Sequence, residues 1–579
     1  MQKTRMEDNM MAGCLMDVVV DDNKRSDGLV LAQWTRLEDL NLDVFQLIAD
    51  QLQQQEADLC ALASSSRKLR SLAFSRLFAR CRVDITKPGP HDPPQAICSY
   101  VRHLTHCGPL DQEGALLRFE TLLDQFPLLD SVTLEDTEGR LPWGIMKACL
   151  IRSRLMSLKV DLGFHELAVP LYPDDDIAAT PISLQTFAWT TTLWREWAKW
   201  KLPSKRTYHR VDMRPDFDFE RACITGIVRT MHETVQSLSL PVESAPILAM
   251  ADLSWPRLRD LSLDGRFLDV AHISSLKHLL PAVPSLRNLS ILAGRIWGLG
   301  TLGRYPILPK PSSATSLLAL PSASEDHPEH ETSHSPLLSE LRSLRIAYPD
   351  PDDEIFSLRM PHLTHLSLRD YPRVYHQLAY GYNVRDGPEG RPWAAPLLSP
   401  DEAFSLLQRM DLPHLTSLEL VYIAPDARSD DALLSYIVQS LPKLEHLELH
   451  HYRGLGGPNR PRTDRVQHTH IAQLLSAAKM LRTLRLNLDF HEDHQAYCAN
   501  RRKRDAWLAL FREERGPEIV EIVAASCPQL EHVALLYHGF EGGTWAEFHP
   551  QRCAEPRFVL DNTREHLDEE ACAREWGSM

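Results

Sequence analysis

Residues 441–449 read Leu-Pro-Lys-Leu-Glu-His-Leu-Glu-Leu, and the chain returns to that phrase repeatedly. Variants stand at 255–263 (WPRLRDLSL), 283–291 (VPSLRNLSI), 360–368 (MPHLTHLSL), 412–420 (LPHLTSLEL), 479–486 (KMLRTLRL) and 527–535 (CPQLEHVAL). Leu447 and Leu449 are two residues apart and share one side of a strand, while Leu444 anchors the turn that leads into it. The proline before the anchor presets the approach without removing a donor from inside the strand. A stretch with helical periodicity precedes most copies, as at 115–126, 432–441 and 470–480. Helix, turn and short strand, repeated, place parallel strands on one side and helices on the other. No unit can bury its leucines alone, so neighbours must stack.

Aligned on L-x-x-L-x-L, the anchors are Leu129, Leu155, Leu184, Val235, Leu258, Leu286, Leu341, Leu363, Leu415, Leu444, Leu481 and Leu530. Six of the intervals between them run from 22 to 29 residues, at or near the leucine-rich repeat period of about 20–29. Five run from 37 to 55, and each holds either an unrecognised unit or an insertion. Leu155, Leu184 and Val235 are the weakest members of the series. The expected fold is α/β: a short helical module, then an irregular leucine-rich repeat solenoid with short parallel strands and outer helices.

Domain limits follow from composition. Residues 1–35 read as a loose leader and 36–85 as the helical module. The repeats span about 95–540, and 541–579 form a C-terminal cap or tail. Within the repeats, 303–336 is a Pro, Ser and His-rich insertion, and 380–400 and 451–466 are Gly, Pro and Arg-rich loops. In the module, Val44, Leu47, Ile48 and Leu52 mark one apolar helix face. Leu59, Leu62 and Ala63 mark a second, and Leu69, Leu72, Ala73 and Leu77 a third. Asp43 and Asp58 stand where N-caps would sit.

With 579 residues and a net charge of −15, the chain is too long for one conventional core. Its charge argues against nucleic acid or anionic lipid as the main partner. The 11 cysteines form no framework. Cys149 and Cys223, in apolar runs, read as reduced buried residues. No segment reads as a signal peptide or membrane span, so the expected location is cytoplasmic, nuclear or both.

Chemical motifs are sparse. Cys98, His103, His106 and Cys107 offer four metal-ligating side chains, but a strand through them sends neighbours to opposite faces, so no metal is expected. His365, His446 and His532 recur at one repeat position, which is a periodic surface pattern. No phosphate-binding glycine loop, nucleophile elbow or zinc-protease motif occurs. Neither enzymatic activity nor a cofactor is expected. Arg501 to Arg504 read as a solvated helix start or a nuclear localisation signal. Trp194, Trp197 and Trp200, beside Lys199 and Lys201, read as core packing or a partner-facing aromatic patch.

The module at 37–82 (LEDLNLDVFQLIADQLQQQEADLCALASSSRKLRSLAFSRLF and flanks) resembles the F-box. With the repeats behind it, the chain resembles fungal F-box proteins with leucine-rich repeats. Leu40, Asn41, Leu42 and Asp43, then Val44 and Phe45, match the family's opening Leu-Pro-x-Glu/Asp and apolar pair. Asn41 replaces the proline, and Leu69 stands where the family carries a late tryptophan. The resemblance implies docking on a Skp-family adaptor of a cullin–RING ubiquitin ligase through Leu40, Leu42, Val44, Phe45, Leu47 and Ile48. For Phe45, packing on the third helix is the alternative. A target protein, whose identity the sequence does not name, would be held by the repeats. A repeat scaffold without a ligase role is the other reading.

The open face follows from strand alternation. If the second and third leucines point inward, positions 3, 5 and 7 of each phrase point out. That assigns Arg345, His365, Glu419, His446, Glu448, His450 and Arg485 to substrate contact.

Overall fold

A computed structural model describes residues 41–52, 56–85, 93–108, 110, 113–135, 141–162, 182–191, 198–201, 209–212, 214–267, 270–294, 304–310, 337–371, 373, 396–425, 428–453, 466–488, 509–539, 542–550 and 557–560. The leader, the basic run at 501–504, and Trp194 and Trp197 lie outside these residues, as do 311–336, 380–395 and 454–465 of the three expected loops. The chain divides into two compact units, residues 1–77 and 78–579.

The first unit holds α1 (Leu42–Leu52), α2 (Glu56–Ser65) and α3 (Arg67–Leu77). Ser66 separates α2 from α3 and caps the latter, its Oγ accepting from the Leu69 amide at 3.2 Å. Asp43 and Asp58 lie inside the first turns of α1 and α2 rather than at their caps, because the helices begin earlier. The Asp58 carboxylate still lies at the positive helix end. The core consists of Phe45, Ala49, Leu59, Ala63, Leu69 and Ala73. On α1 the inward face is therefore Phe45 with Ala49. Val44 and Leu47, expected on the buried face, are 44% and 66% exposed.

The second unit is a leucine-rich repeat solenoid. Its strands are β1 (Arg80–Val83), β2 (His103–Cys107), β3 (Ser131–Glu135), β4 (Ser157–Leu162), β5 (Thr186–Thr191), β6 (Ala198–Lys201), β7 (His209–Asp212), β8 (Ser237–Pro241) and β9 (Asp260–Arg266). There follow β10 (Asn288–Gly294), β11 (Ser343–Ala347), β12 (His365–Arg369), β13 (Ser417–Ala424), β14 (His446–Arg453), β15 (Thr483–Asn487), β16 (His532–Gly539), β17 (Gly542–Phe548) and β18 (Arg557–Leu560). All but β6 and β7 form one sheet in chain order. From β1 to β16 every neighbour is parallel, and β17 and β18 close the end antiparallel. The sheet thus opens at Arg80, ahead of the expected start near 95. The strands β6 and β7 form a separate antiparallel pair, and Trp200 lies in β6.

Every anchor precedes a strand by two residues and is buried, Leu184 included at 1% exposure. Register follows the leucines: Leu261, Leu289, Leu344, Leu366, Leu418, Leu447 and Leu484 pair in turn, ending on Val533. A slip of one residue would turn each leucine to the opposite face, so burial fixes the pairing. Among the described residues, the long intervals add no further strand to the sheet. β5 pairs directly with β8, β10 with β11, β12 with β13 and β15 with β16. β14 and β15, across the shortest of the five long intervals, pair directly as well.

Helices cover the side reached by the leucines. Ala115–Gln125, Asp431–Ser440 and His468–Leu475 form at the expected periodic stretches. Leu433, Leu434 and Ile437 of the second join the same core as Leu447 and Leu449. Each leucine so buried contributes roughly 1.5–3 kcal/mol over an exposed one. Cys149 and Cys223 lie in this core, and burial pushes the Cys149 thiol up to about 12. Among the described residues no helix is long and apolar enough to cross a membrane.

Candidate functional site

The side of the sheet away from the helices carries positions 3 and 5 of each unit. Position 3 presents Ser237, Asp260, Asn288, Ser343, His365, Ser417, His446, Thr483 and His532 in register. His365 and His446 are exposed. Position 5 presents Ser239, Ser262, Ser290, Arg345, Ser367, Glu419, Glu448, Arg485 and Ala534.

Position 7, expected to be open, is closed from β10 onward, while Asp264 of β9 is half-buried. Leu292, Ala347, Arg369, Val421, His450, Asn487 and Leu536 are all buried there. A second apolar cluster covers the strand ends, joining Leu292, Val421 and Leu536 to Tyr348, Leu397, Tyr452 and Trp545. His450 is therefore corrected from a surface residue to a core one. Its ring meets Trp545 edge to face at 6.0 Å, and Asn487 Nδ2 lies 3.3 Å from its Nδ1. Trp545 comes from β17, which folds back on β16.

Glu419, Glu448, His450 and Arg485, assigned separately to substrate contact, belong to one network. Their hub is Arg373, 2% exposed, which donates to Asp370 at 3.0 Å, to Glu419, and to Glu448 at 3.3 Å. Arg369 lies 3.6 Å from Glu419, and Ser367 donates to its other oxygen at 2.6 Å. His450 Nε2 meets Glu448 at 2.8 Å, while Arg485 donates to the second Glu448 oxygen at 2.7 Å and lies 4.0 Å above the Trp545 ring. Three arginines thus balance three carboxylates. Burial alone would push Glu419 up, but Arg373, Arg369 and Ser367 outweigh it and hold the carboxyl well below the usual range. Burial opposes ionisation of Glu448 too, and its bond to His450 prevails.

Donor atoms of Glu419, Glu448 and His450 lie within 4.8 Å of one another, close enough for a cation. The Arg373 guanidinium already bonds both carboxylates. This network is a structural brace across β12, β13, β14 and β15.

Cys98, His103, His106 and Cys107 do not converge. Cys98 ends a short helix and His103 pairs with Asp130 at 3.3 Å. His106 is fully buried against Phe119 at 6.1 Å, and Cys107 accepts from Arg82 at 2.8 Å.

Of the residues assigned to an adaptor, Leu40 lies outside the described residues, and nothing is described of the Leu42 side chain. Phe45 is fully buried in its own three-helix core, so the alternative of internal packing holds for it. Val44 and Leu47 are exposed and Ile48 half-buried, an apolar strip on the outside of α1.

Asp370 and Arg373 were not legible as part of this face, because they follow the repeat phrase of β12; Arg369 stands at its position 7. A second group missed is a row of arginines at position 2, whose signal is the arginine after the anchor leucine in LRDL, LRNL and LRSL.

Compared with known proteins, the sequence matches no family model and no curated protein. Among solved structures, the chain is similar to one in the crystal structure of the Rad7 and Elc1 complex in yeast. The identity is 13% and the TM-score 0.33, over 77% of this chain and 88% of that one. It is also similar to the leucine-rich repeat-containing protein LegL7 from Legionella pneumophila, at 12% identity and a TM-score of 0.27. That match covers 84% of this chain and 99% of the other.

Proposed function

We propose that the protein is a non-catalytic substrate receptor of a Skp-adaptor, cullin and F-box type ubiquitin ligase. Its repeats hold a target protein, and its helical unit docks on the adaptor. The chain performs no chemistry in this reading. It holds the target where a ubiquitin-charged enzyme reaches a lysine, an effect of proximity and orientation. Its place of action would be the cytoplasm, the nucleus or both.

The observation that carries the proposal is the orientation of α1. Phe45 and Ala49 close the three-helix core, while Val44 at 44% and Leu47 at 66% exposure turn outward beside the half-buried Ile48. A face of adjacent apolar residues on a short helix gains from burial against a partner. It belongs to the segment that resembles the F-box, ahead of a repeat sheet whose polar face suits recognition of a protein surface.

The test is association of the full chain with a purified Skp-family adaptor. Binding at about 10 μM or tighter, abolished by Leu47→Asp with the fold intact, supports the reading. Failure of the wild-type chain to bind in that range overturns it in favour of a repeat scaffold without a ligase role.

A further inference from the structure

Pairing in the long sheet turns from parallel to antiparallel where β17 folds back on β16. The register sets Val533 opposite Phe548, and one step outward it brings His532 against His549. Residues directly opposite in an antiparallel pair share a face, and so do residues two apart on one strand. Glu547 therefore joins the two histidines on the open face, opposite the small, fully buried Ala534. The parallel strands do not gather histidines in this way. Along position 3, His365, His446 and His532 alternate with Ser417 and Thr483, which sets them two strands, or ~9.6 Å, apart.

Distances within the group suit one small cation. His532 Nε2 lies 3.6 Å from Glu547 Oε1, and ligands about 2.1 Å from a tetrahedral zinc ion stand ~3.4 Å from one another. The rings of His532 and His549 have centroids 5.3 Å apart, against roughly 5 Å for two imidazoles on one such ion. His549 Nδ1 lies 3.3 Å from the Glu531 carbonyl oxygen. A carbonyl only accepts, so Nδ1 carries the proton and Nε2 keeps its lone pair, the tautomer and outer contact of a metal-binding imidazole. Burial, with the charges of His549 and Arg485, holds His532 below its ordinary value against the opposing pull of Glu547. Its ring is thus neutral at pH 7 and has no proton to surrender on binding. The arginines of the adjoining unit are engaged elsewhere, Arg485 with Glu448 and the Trp545 ring, Arg482 with Glu531.

We propose that His532, Glu547 and His549 form a site for a divalent transition-metal ion of the zinc class, its fourth position left to water. Two imidazoles and one carboxylate suit zinc rather than calcium or magnesium, which take oxygen ligands. The ion bridges β16 and β17. It pins the strand that carries Trp545, whose ring meets His450 and lies under Arg485, and so secures one end of the charged brace. The site is separate from Glu419 and Glu448, which Arg373 bonds, and it does not depend on the receptor reading.

The test titrates the metal-stripped full chain with zinc in a chelator buffer. Saturable uptake of one equivalent is expected, with a melting temperature that rises with free zinc. Hydrogen-exchange protection should increase in β16 and β17 and stay constant in β2 to β4. Cobalt in place of zinc should show the visible absorption of a four-coordinate ion. His532→Ala and His549→Ala should each weaken uptake at least about tenfold, whereas His278→Ala with His362→Ala, both exposed, should bind as wild type does. Should a histidine variant melt lower without metal, Glu547→Gln decides, since it keeps the side-chain shape and loses the anionic donor. Its expected result is weaker uptake, and wild-type affinity in it overturns the proposal. No saturable uptake below about 10 μM free zinc also overturns it. Wild-type affinity in either histidine variant does the same, because the ion then binds elsewhere, and so does uptake that leaves both melting temperature and β17 protection unchanged.

Discussion

Arg373 donates a charge-assisted hydrogen bond to Glu419 across 46 residues of chain, with its guanidinium 2% exposed. The same group bonds Asp370 and Glu448, so one arginine ties the end of β12 to β13 and β14. Removing one partner of a buried pair leaves the others charged and unpaired, which costs far more than the intact pair contributes. Arg373→Ala should therefore destabilise the repeat unit by about 3–5 kcal/mol, measured by urea unfolding. A triple variant that adds Glu419→Gln and Glu448→Gln should recover much of that loss. A loss below about 1 kcal/mol for Arg373→Ala, as at exposed pairs, would show that the network is solvated.

The network also sets a pH dependence. Glu419 and Glu448 are held below their ordinary value of 4.5, so their contribution is full above that pH and is lost as pH falls through the depressed folded values. Asp353 has the opposite sign. Burial raises it to about 6, although it accepts from the Ile307, Leu308 and Ile355 amides at 2.6 to 3.0 Å. Its folded form prefers the proton, so it adds stability as pH falls through about 6. Between pH 7 and 5, His106 and His532, which burial holds below their ordinary value, act against Asp353, so its share is read as the difference in melting temperature from Asp353→Asn. Below pH 4.5 melting temperature should drop as the unfolded chain takes up protons that folded Glu419 and Glu448 refuse. Glu419→Gln should flatten the acid limb. An Asp353→Asn variant whose profile from pH 7 to 5 runs parallel to wild type would contradict the assignment.

The repeat register was legible because leucines two apart, with one face buried, leave a strand no freedom to slip. The long intervals were not, since spacing alone cannot distinguish a hidden unit from an insertion. Only the direct pairing of β5 with β8, or β10 with β11, decides it. Position 7 did carry a signal: Leu292, Val421 and Leu536 are apolar where an open face should be polar. On α1, Val44 with Ile48 and Phe45 with Ala49 are both spaced by one helical turn. Two adjacent apolar faces do not say which one is inside. The charged brace was hidden because Arg373 meets its partners 46 and 75 residues away, from a position outside the repeat phrase.

The two faces of α1 should separate in mutants. Phe45→Ala empties the centre of a small core and should cost about 3–5 kcal/mol. Leu47→Asp, at 66% exposure, should change stability by no more than about 0.5 kcal/mol. Hydrogen exchange of α2 and α3 in the full chain reads both. Protection should fall sharply for Phe45→Ala and stay near wild type for Leu47→Asp. Equal loss of protection in both would place Leu47 in the unit's own core.

The insertion between β10 and β11 should be separable from the sheet it interrupts. Its described start is clamped: Arg304 donates to both Glu402 oxygens at 2.6 and 2.9 Å and to the Leu397 carbonyl at 2.5 Å. Glu402 also completes a capping box with Ser399 at the start of the helix Pro400–Arg409. Leu308 accepts from the Glu354 amide at 3.0 Å. These bonds hold 304–310 independently of 313–334, and loop-closure entropy changes by only about 0.6 kcal/mol per doubling of loop length. Replacing 313–334 by a short Gly-Ser linker should therefore leave unfolding free energy within about 1 kcal/mol of wild type. Glu402→Gln, which weakens both the arginine clamp and the cap, should cost about 1–2 kcal/mol. If the excision costs more than the substitution, residues 313–334 contribute to the fold, and the long interval is more than an insertion.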